Sequence, residues 1–257
     1  MNYTEAVLLG ALQGVAEWLP VSSEGLVTAT YSLIAGRSLS ESVGISLWLH
    51  IGTAFAALAA FRAEVRRLVG ALFSSPLSLD PVSKFVVMAT LVSAPIGMAL
   101  LLGLEEFSQV ASGLAMAAVG LLMMVTAGVL YRGQQREARE REEAGWLDAV
   151  LAGFVQGLAA SGLTLAVLLG RGIDRRDAIT LSFLMSIPVS VGAGLYAGIR
   201  TSAHSSPESV VALVVAALVG FVSIRTLIAL AGRVNFGWFV AIAGVVIIAG
   251  GFWQALG

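Results

Sequence analysis

Long apolar runs constrain this chain more than any other feature of its sequence. Six segments each hold about 20 mostly apolar residues, the length that a helix rising 1.5 Å per residue needs to cross a bilayer core of about 30 Å. A chain that is 58% hydrophobic and only 12% charged is too apolar for a water-soluble protein. The sequence therefore predicts an all-α integral membrane protein with about six spanning helices. These are residues 43–61, 85–103, 109–131, 178–199, 209–229 and 236–255.

The basic residues predict how the chain lies in the membrane, because cytoplasmic loops carry an excess of Lys and Arg. If the six predicted spans cross the membrane in alternating directions, all but three of the 15 Lys and Arg residues lie on one side of it. Arg37 and Arg200 fall on the other side, and Arg225 lies within a span. The expected location is the plasma membrane, crossed several times, with both termini outside.

Two stretches of the sequence match in register. Residues 10–16 read Gly-Ala-Leu-Gln-Gly-Val-Ala, and residues 153–159 read Gly-Phe-Val-Gln-Gly-Leu-Ala, 143 positions later. Further on, Ser46-Leu-Trp-Leu-His-Ile51 resembles Ser182-Phe-Leu-Met-Ser-Ile187, now 136 positions later, so the second half lacks seven residues. Three spans separate the copies, and an odd number reverses the direction of entry. We expect an inverted repeat with its site near the midplane.

The repeat divides the chain into a first half (1–131), a cytoplasmic linker (132–145) and a second half (146–257). In the first half, the apolar residues 5–34 are interrupted by Glu17, Pro20 and Glu24. We expect a re-entrant helix hairpin there, because a straight helix would place two carboxylates and a proline in mid-bilayer. Residues 147–170 are predicted to form the equivalent re-entrant segment.

The turn of the first hairpin carries the residues best suited to chemistry. Ser22 and Ser23 precede a half-helix whose unpaired N–H groups and dipole favour a phosphate. Ser23, with Ser22 beside it, is a candidate nucleophile or phosphate ligand, Glu17 its general base or a metal ligand, and Gln13 a hydrogen-bonding wall residue. The alternative is that the serines only cap the half-helix. His50 is interpreted as a buried hydrogen-bonding histidine.

The stretch Gln13-Gly-Val-Ala-Glu-Trp-Leu-Pro-Val-Ser-Ser-Glu-Gly25 resembles the first signature of the undecaprenyl-diphosphate phosphatase family, the bacitracin-resistance (BacA/UppP) proteins. The resemblance implies an inverted repeat with two re-entrant helix pairs. It also implies removal of the terminal phosphate from a C55 polyprenyl diphosphate at the outer face, which recycles a lipid carrier. Glu17 and Ser23 match the functional carboxylate and serine of the family, and Gln13 matches a position held by Glu or Gln.

Two departures from the family pattern bear on the mechanism. Leu26 replaces a signature histidine and Glu24 is an extra acid, while the second signature, Pro-Gly-x-Ser-Arg-Ser-Gly, is reduced to Ala160-Ser161-Gly162 without its arginine. A divalent cation, Mg²⁺ or Ca²⁺, held by Glu17 and Glu24 could restore the lost positive charge. The substrate-binding candidates are Gln13, Gly25, Gln156, Ser161, Thr164 and Arg225.

Three functions are compatible with these observations. The first is a polyprenyl-diphosphate phosphatase, and the second is a hydrolysis-deficient homologue that binds or translocates polyprenyl phosphate or another solute. The third is a secondary transporter that uses Glu17 and Glu24 as coupling carboxylates. The expected partners are a polyprenyl phosphate or diphosphate and membrane lipid, and the net charge of −1 gives no indication of nucleic acid. A homodimer is an open alternative for the oligomeric state.

Overall fold

The structure, a computed structural model, describes most of the chain and consists of helices joined by short connections. It describes residues 1–19, 22–74, 78–104, 139–158, 161–201 and 206–230, with the short pieces 120–121, 124–125, 127–128, 238, 241–242, 244–245 and 248–249. The longer ranges contain nine α-helices. They are α1 (Tyr3–Ala16), α2 (Ser23–Ala35), α3 (Leu39–Ala60), α4 (Arg62–Ser74), α5 (Pro81–Leu104), α6 (Trp146–Gly157), α7 (Ser161–Gly170), α8 (Arg175–Arg200) and α9 (Pro207–Leu230).

Four of these helices are long and apolar enough to cross a membrane. The qualifying stretches are Ser40–Ala60, Pro81–Leu102, Arg175–Arg200 and Pro207–Leu230, in α3, α5, α8 and α9. They correspond to the predicted spans 43–61, 85–103, 178–199 and 209–229. The other two predicted spans, 109–131 and 236–255, lie largely outside the described residues. The prediction of an all-α membrane protein is confirmed at this level.

Each segment predicted as a hairpin consists of two short helices. Residues 5–34 are divided into α1 and α2, of 14 and 13 residues, and residues 147–170 into α6 and α7, of 12 and 10 residues. A capping box between Asn2 and Glu5 begins α1, and Gly36, in the left-handed region at φ 60°, ends α2. Neither segment is a single continuous helix.

Helix α1 packs closely along α9 through two glycines. A Cβ at Gly10 would lie 2.3 Å from the carbonyl oxygen of Ala212, and a Cβ at Gly14 would lie 2.8 Å from the backbone nitrogen of Gly220. Only glycine allows the two backbones to approach this closely. The contact holds the C-terminal end of α1 beside the interior of α9.

Helix α6 packs along α5 in the same manner. A Cβ at Gly153 would lie 2.5 Å from the carbonyl oxygen of Ala89, and one at Gly157 would lie 2.9 Å from the carbonyl oxygen of Ser93. The C-terminal end of α6 is therefore held beside the interior of α5.

A buried carboxylate fastens the linker to the start of α6 and to the α7–α8 connection. Asp148 is 1% exposed and contacts the guanidinium groups of Arg139, at 3.2 Å, and Arg171, at 2.6 Å. Burial favours its neutral form, but hydrogen bonds from Arg171 and Gly145 and the charge of Arg139 outweigh burial and lower the pKa of Asp148. Backbone hydrogen bonds of Arg139 to Gly172 and Asp174 complete the attachment.

Candidate active site at the helix break after α1

The break after α1 turns a carboxylate into the protein interior. Glu17 directly follows Ala16, and its side chain is 8% exposed. One carboxylate oxygen, Oε2, accepts hydrogen bonds from Ser23 Oγ at 2.7 Å and from Gln13 Nε2 at 3.0 Å. The other oxygen, Oε1, accepts one from Ser190 Oγ at 3.2 Å. The predicted group of Gln13, Glu17 and Ser23 is thus brought together, with Ser190 of α8 added to it.

His50, in the middle of α3, also contacts this carboxylate. Its Nδ1 lies 2.8 Å from the carbonyl oxygen of Ser46, and its Nε2 lies 3.3 Å from Glu17 Oε2. Because a carbonyl oxygen only accepts, Nδ1 must carry a hydrogen. An Nε2 without a hydrogen would repel the Glu17 carboxylate. The 3.3 Å contact between Nε2 and Oε2 is favourable only when a proton lies between these two atoms. The interpretation of His50 as a buried hydrogen-bonding residue is confirmed, and it is in addition a partner of Glu17.

The two serines of the turn have different roles at the start of α2. Ser22 is the N-cap residue, and its Oγ accepts a hydrogen bond from the N–H of Gly25 at 3.2 Å. Ser23 is the first residue of the helix, and its hydroxyl donates to Glu17. A buried hydroxyl next to a carboxylate, at the positive end of a helix dipole, is a suitable nucleophile for an anionic substrate.

The break between α6 and α7 places polar groups opposite the first one. Thr164 Oγ1 donates a hydrogen bond of 2.9 Å to Gln156 Oε1, so these two predicted residues are also in contact. Both are buried.

A small cavity of about 20 Å³ lies between the two breaks, with room for about one water molecule. It brings a carboxylate and an amide from opposite halves of the chain to one place. Its lining residues are Glu17, Trp18, Leu19, Gln156, Leu165, Ile179, Ser182, Phe183 and Ser186.

Comparison with known proteins assigns this arrangement to a family. Residues 6–249 match the family model described as bacitracin resistance protein BacA. The chain belongs to the BacA family. A Methanococcoides burtonii relative named undecaprenyl-diphosphatase is 37% identical over 257 residues, covering 95% of this chain and 97% of the relative. Haloarcula marismortui and Mycolicibacterium smegmatis have relatives of the same name, 37% and 30% identical, each covering at least 96% of both chains.

Two further residues were predicted to bind substrate in this BacA-family protein, Arg225 and Ser161. Arg225 is exposed on α9, with its guanidinium carbon 4.9 Å from the centroid of the Phe221 ring, so its role in substrate binding stays a prediction. Ser161 begins α7, but its side chain lies outside the described part of the chain. Arg171, the nearest arginine to the shortened second signature, is bound to Asp148 at the linker.

Two partners of Glu17 in this BacA-family chain were not predicted from the sequence: Ser190, and His50, which was interpreted only as a buried hydrogen-bonding residue. Ser182, Ser186 and Ser190 recur every four residues, which places their hydroxyls on one face of α8. Such a polar stripe on a spanning helix was the available signal, because hydroxyls in a bilayer need internal partners. His50 lies four residues after Ser46 on α3 in the same pattern.

The donors around Glu17 do not suit a metal ion as the side chains stand. Ser23 and Gln13 already direct hydrogens at Oε2, and Ser190 directs one at Oε1. Among the described residues, no group of three or more His, Cys, Asp and Glu side chains could hold a metal ion. A cation bound to Glu17 would have to displace these donors.

Proposed function

We propose that this protein hydrolyses an undecaprenyl-type diphosphate to the monophosphate and inorganic phosphate. The observation that carries the proposal is the 2.7 Å hydrogen bond from the Ser23 hydroxyl to the Glu17 carboxylate at the N-terminus of α2. It gives a nucleophile, a base and an anion-attracting helix end in one place. Full-length relatives named undecaprenyl-diphosphatase support the same substrate class.

In the proposed reaction, Ser23 Oγ attacks the terminal phosphorus while Glu17 takes the hydroxyl proton. The bond from this phosphorus to the bridging oxygen breaks, and its electron pair leaves with the polyprenyl monophosphate. Water then attacks the phosphoserine, the P–Oγ bond breaks, and Oγ recovers its proton from Glu17. Inorganic phosphate leaves with both hydrogens of the attacking water, as H2PO4⁻, and exchanges one of them with the solvent according to pH. Hydrogen bonds from Gln13 and Ser190 keep Glu17 aimed at Ser23 through both steps.

The inverted repeat, with six spans and two re-entrant hairpins, is part of the proposal. A first-half helix, α1, packs on the second-half span α9, and a second-half helix, α6, packs on the first-half span α5. Both contacts use glycines at equivalent repeat positions, Gly10 with Gly153 and Gly14 with Gly157. Each half therefore packs one of its short helices against a span of the other half. A two-fold axis in the membrane plane would produce this arrangement, which supports the inverted repeat.

The outward orientation of both termini and of the site is likewise proposed. Arg37, just before α3, and Arg200, the last residue of α8, lie at the same end of the helices. A Cβ at Gly44, early in α3, would be 3.2 Å from Thr201 Cγ2, directly after α8. Arg139 and Arg171 gather at the opposite end of α8. This separation supports the sorting by positive charge, with Arg139 and Arg171 cytoplasmic. The homodimer stays a prediction. Light scattering of the detergent-solubilised protein measures the oligomeric state.

The divalent cation is a further proposal, and no step above depends on it. Glu24 and the phosphate oxygens of the substrate are the groups that could hold Mg²⁺ or Ca²⁺ beside Glu17. Phosphate release in EDTA, compared with release after each cation is added back, tests this proposal.

Phosphate release from farnesyl or C55 diphosphate by the purified protein tests the proposed function. We expect Glu17→Gln to lower kcat by about 10²–10⁴-fold, because the general base is lost. Ser32→Ala is the matched control, since it removes a hydroxyl from the far end of α2, where Ser32 donates a hydrogen bond to the carbonyl of Arg37 and not to Glu17. Equal rates for wild type and Glu17→Gln would contradict the mechanism. No release by wild type would leave the binding or transport alternatives, which the relatives' names do not favour.

A further inference from the structure

Helix α4 begins where a candidate membrane span ends. Phe61 closes α3 through a hydrogen bond from its N–H to the carbonyl of Ala57 at 2.8 Å, and α4 starts at Arg62. Its 13 residues measure about 20 Å, too short to cross a bilayer. None of its residues is buried. The helix therefore lies at the periphery of the helical bundle and does not span the membrane.

One face of α4 is apolar and only half covered by protein. Val65 and Leu68 pack against the main core. Val69, Leu72 and Phe73 continue the same stripe at helical spacing but are 45%, 39% and 89% exposed. Exposure of this stripe to water is unfavourable, so the stripe requires an apolar neighbour.

The first two turns of α4 carry a positive charge. Arg62, Arg66 and Arg67 outnumber Glu64, the one acidic residue of the helix. Arg67 is 3.5 Å from Asp80, which ties the helix to the start of α5. Arg62 and Arg66 are exposed beside the apolar stripe. Basic groups flanking a partly exposed apolar stripe are typical of helices that lie on anionic membranes.

We propose that α4 binds the anionic surface of the bilayer, with Val69, Leu72 and Phe73 in the acyl boundary and Arg62 and Arg66 on lipid phosphates. Continuity with α3 places the helix within reach of the headgroups, and the charge selects acidic lipid over a neutral surface. The proposal is independent of the proposed phosphatase activity.

Spin labelling tests this placement directly, because the chain contains no cysteine. Single variants Val69→Cys and Leu72→Cys probe the stripe, and Ala63→Cys and Gly70→Cys probe the opposite face. Each labelled protein is reconstituted in vesicles of phosphatidylcholine with phosphatidylglycerol. We expect labels at 69 and 72 to be accessible to oxygen and protected from a water-soluble nickel complex, at a depth of about 5–10 Å. Labels at 63 and 70 should show the opposite preference.

The charge dependence is tested on unlabelled protein by counting phosphatidylglycerol molecules retained in native mass spectrometry. Removing each arginine should lower the preference for phosphatidylglycerol about fivefold, so the Arg62→Gln/Arg66→Gln double variant loses most of it. Arg37→Gln, at the other end of the bundle, is the matched control. Equal nickel accessibility at all four labels overturns the proposal. Protection of 69 and 72 from both reagents also overturns it, because a second copy or another protein then covers the stripe.

Discussion

At the scale of single residues, the stability of one buried carboxylate explains the arrangement of the site. An acid in an apolar interior is costly unless hydrogen bonds and charge compensate it. Glu17 receives hydrogen bonds from Gln13, Ser23 and Ser190 and contacts His50, so α1, α2, α3 and α8 each contribute one partner. The same contacts that allow Glu17 to be buried also aim it at Ser23.

The His50 ring gives a prediction that does not depend on catalysis. The chain has two histidines, so ¹⁵N-histidine labelling gives two sets of ring signals, and a His204→Gln variant assigns them. Because Nδ1 bonds a carbonyl and Nε2 faces Glu17, we expect hydrogen on Nδ1 and a proton shared at Nε2. In Glu17→Gln, the shared proton should be lost. A bare Nε2 in wild type, unchanged in Glu17→Gln, would contradict this geometry.

Sequence alone could predict Gln13, Glu17 and Ser23 because they lie within one interrupted apolar segment, where polar residues are conspicuous. It could not assign Ser190 to Glu17, because their 173-residue separation is closed only by the packing of α8 against α3. A serine hydroxyl on a helix can hydrogen-bond to several nearby backbone groups, and only the tertiary structure determines which partner it binds.

At the scale of elements, close helix contacts hold the two breaks in position. We expect Gly10→Ala to destabilise the protein by about 1–3 kcal/mol, because its Cβ would collide with the backbone of α9. Gly70→Ala is the matched control on α4, where nothing lies within 4 Å and helix propensity favours alanine. Apparent melting temperatures in detergent measure both changes. Equal or opposite shifts would contradict the described α1–α9 contact.

The Asp148 attachment gives a second prediction at this scale. Asp148→Asn leaves Arg139 and Arg171 without their shared carboxylate and should cost roughly 2 kcal/mol, or about 4–8 °C in apparent melting temperature. Glu142→Gln, which removes an exposed ion pair, should have little effect. The folded pKa of Asp148 is lowered, so its contribution is present above the ordinary aspartate pKa and is lost only as pH falls through the lowered value. The difference between variant and wild type should therefore stay constant from pH 6 to 8; a change across this range would contradict the assignment.

The four described spans could be predicted because apolar length is a strong signal, and their bounds shift by only a few residues. Helix α4 lies between the predicted spans 43–61 and 85–103 and was not predicted, since its three arginines interrupt the apolar pattern. Its stripe depends on helical spacing over 13 residues, which a search for spans does not detect.

At the scale of the whole molecule, the proposed topology predicts which face each loop occupies. Ser40→Cys, at the start of α3, should react with a membrane-impermeant maleimide in intact cells. Glu142→Cys, in the linker, should react only after permeabilisation. Reversed labelling would invert the proposed orientation and place the opening of the site on the cytoplasmic face.

The central claim is that the helix break after α1 is a phosphatase site with Ser23 as its nucleophile. The most direct measurement is the kcat of Ser23→Ala for phosphate release from C55 diphosphate, with Ser32→Ala measured beside it. We predict a loss of about 10³-fold or more for Ser23→Ala, with Ser32→Ala unchanged. A Ser23→Ala protein that kept more than about one-tenth of the wild-type rate would contradict the claim.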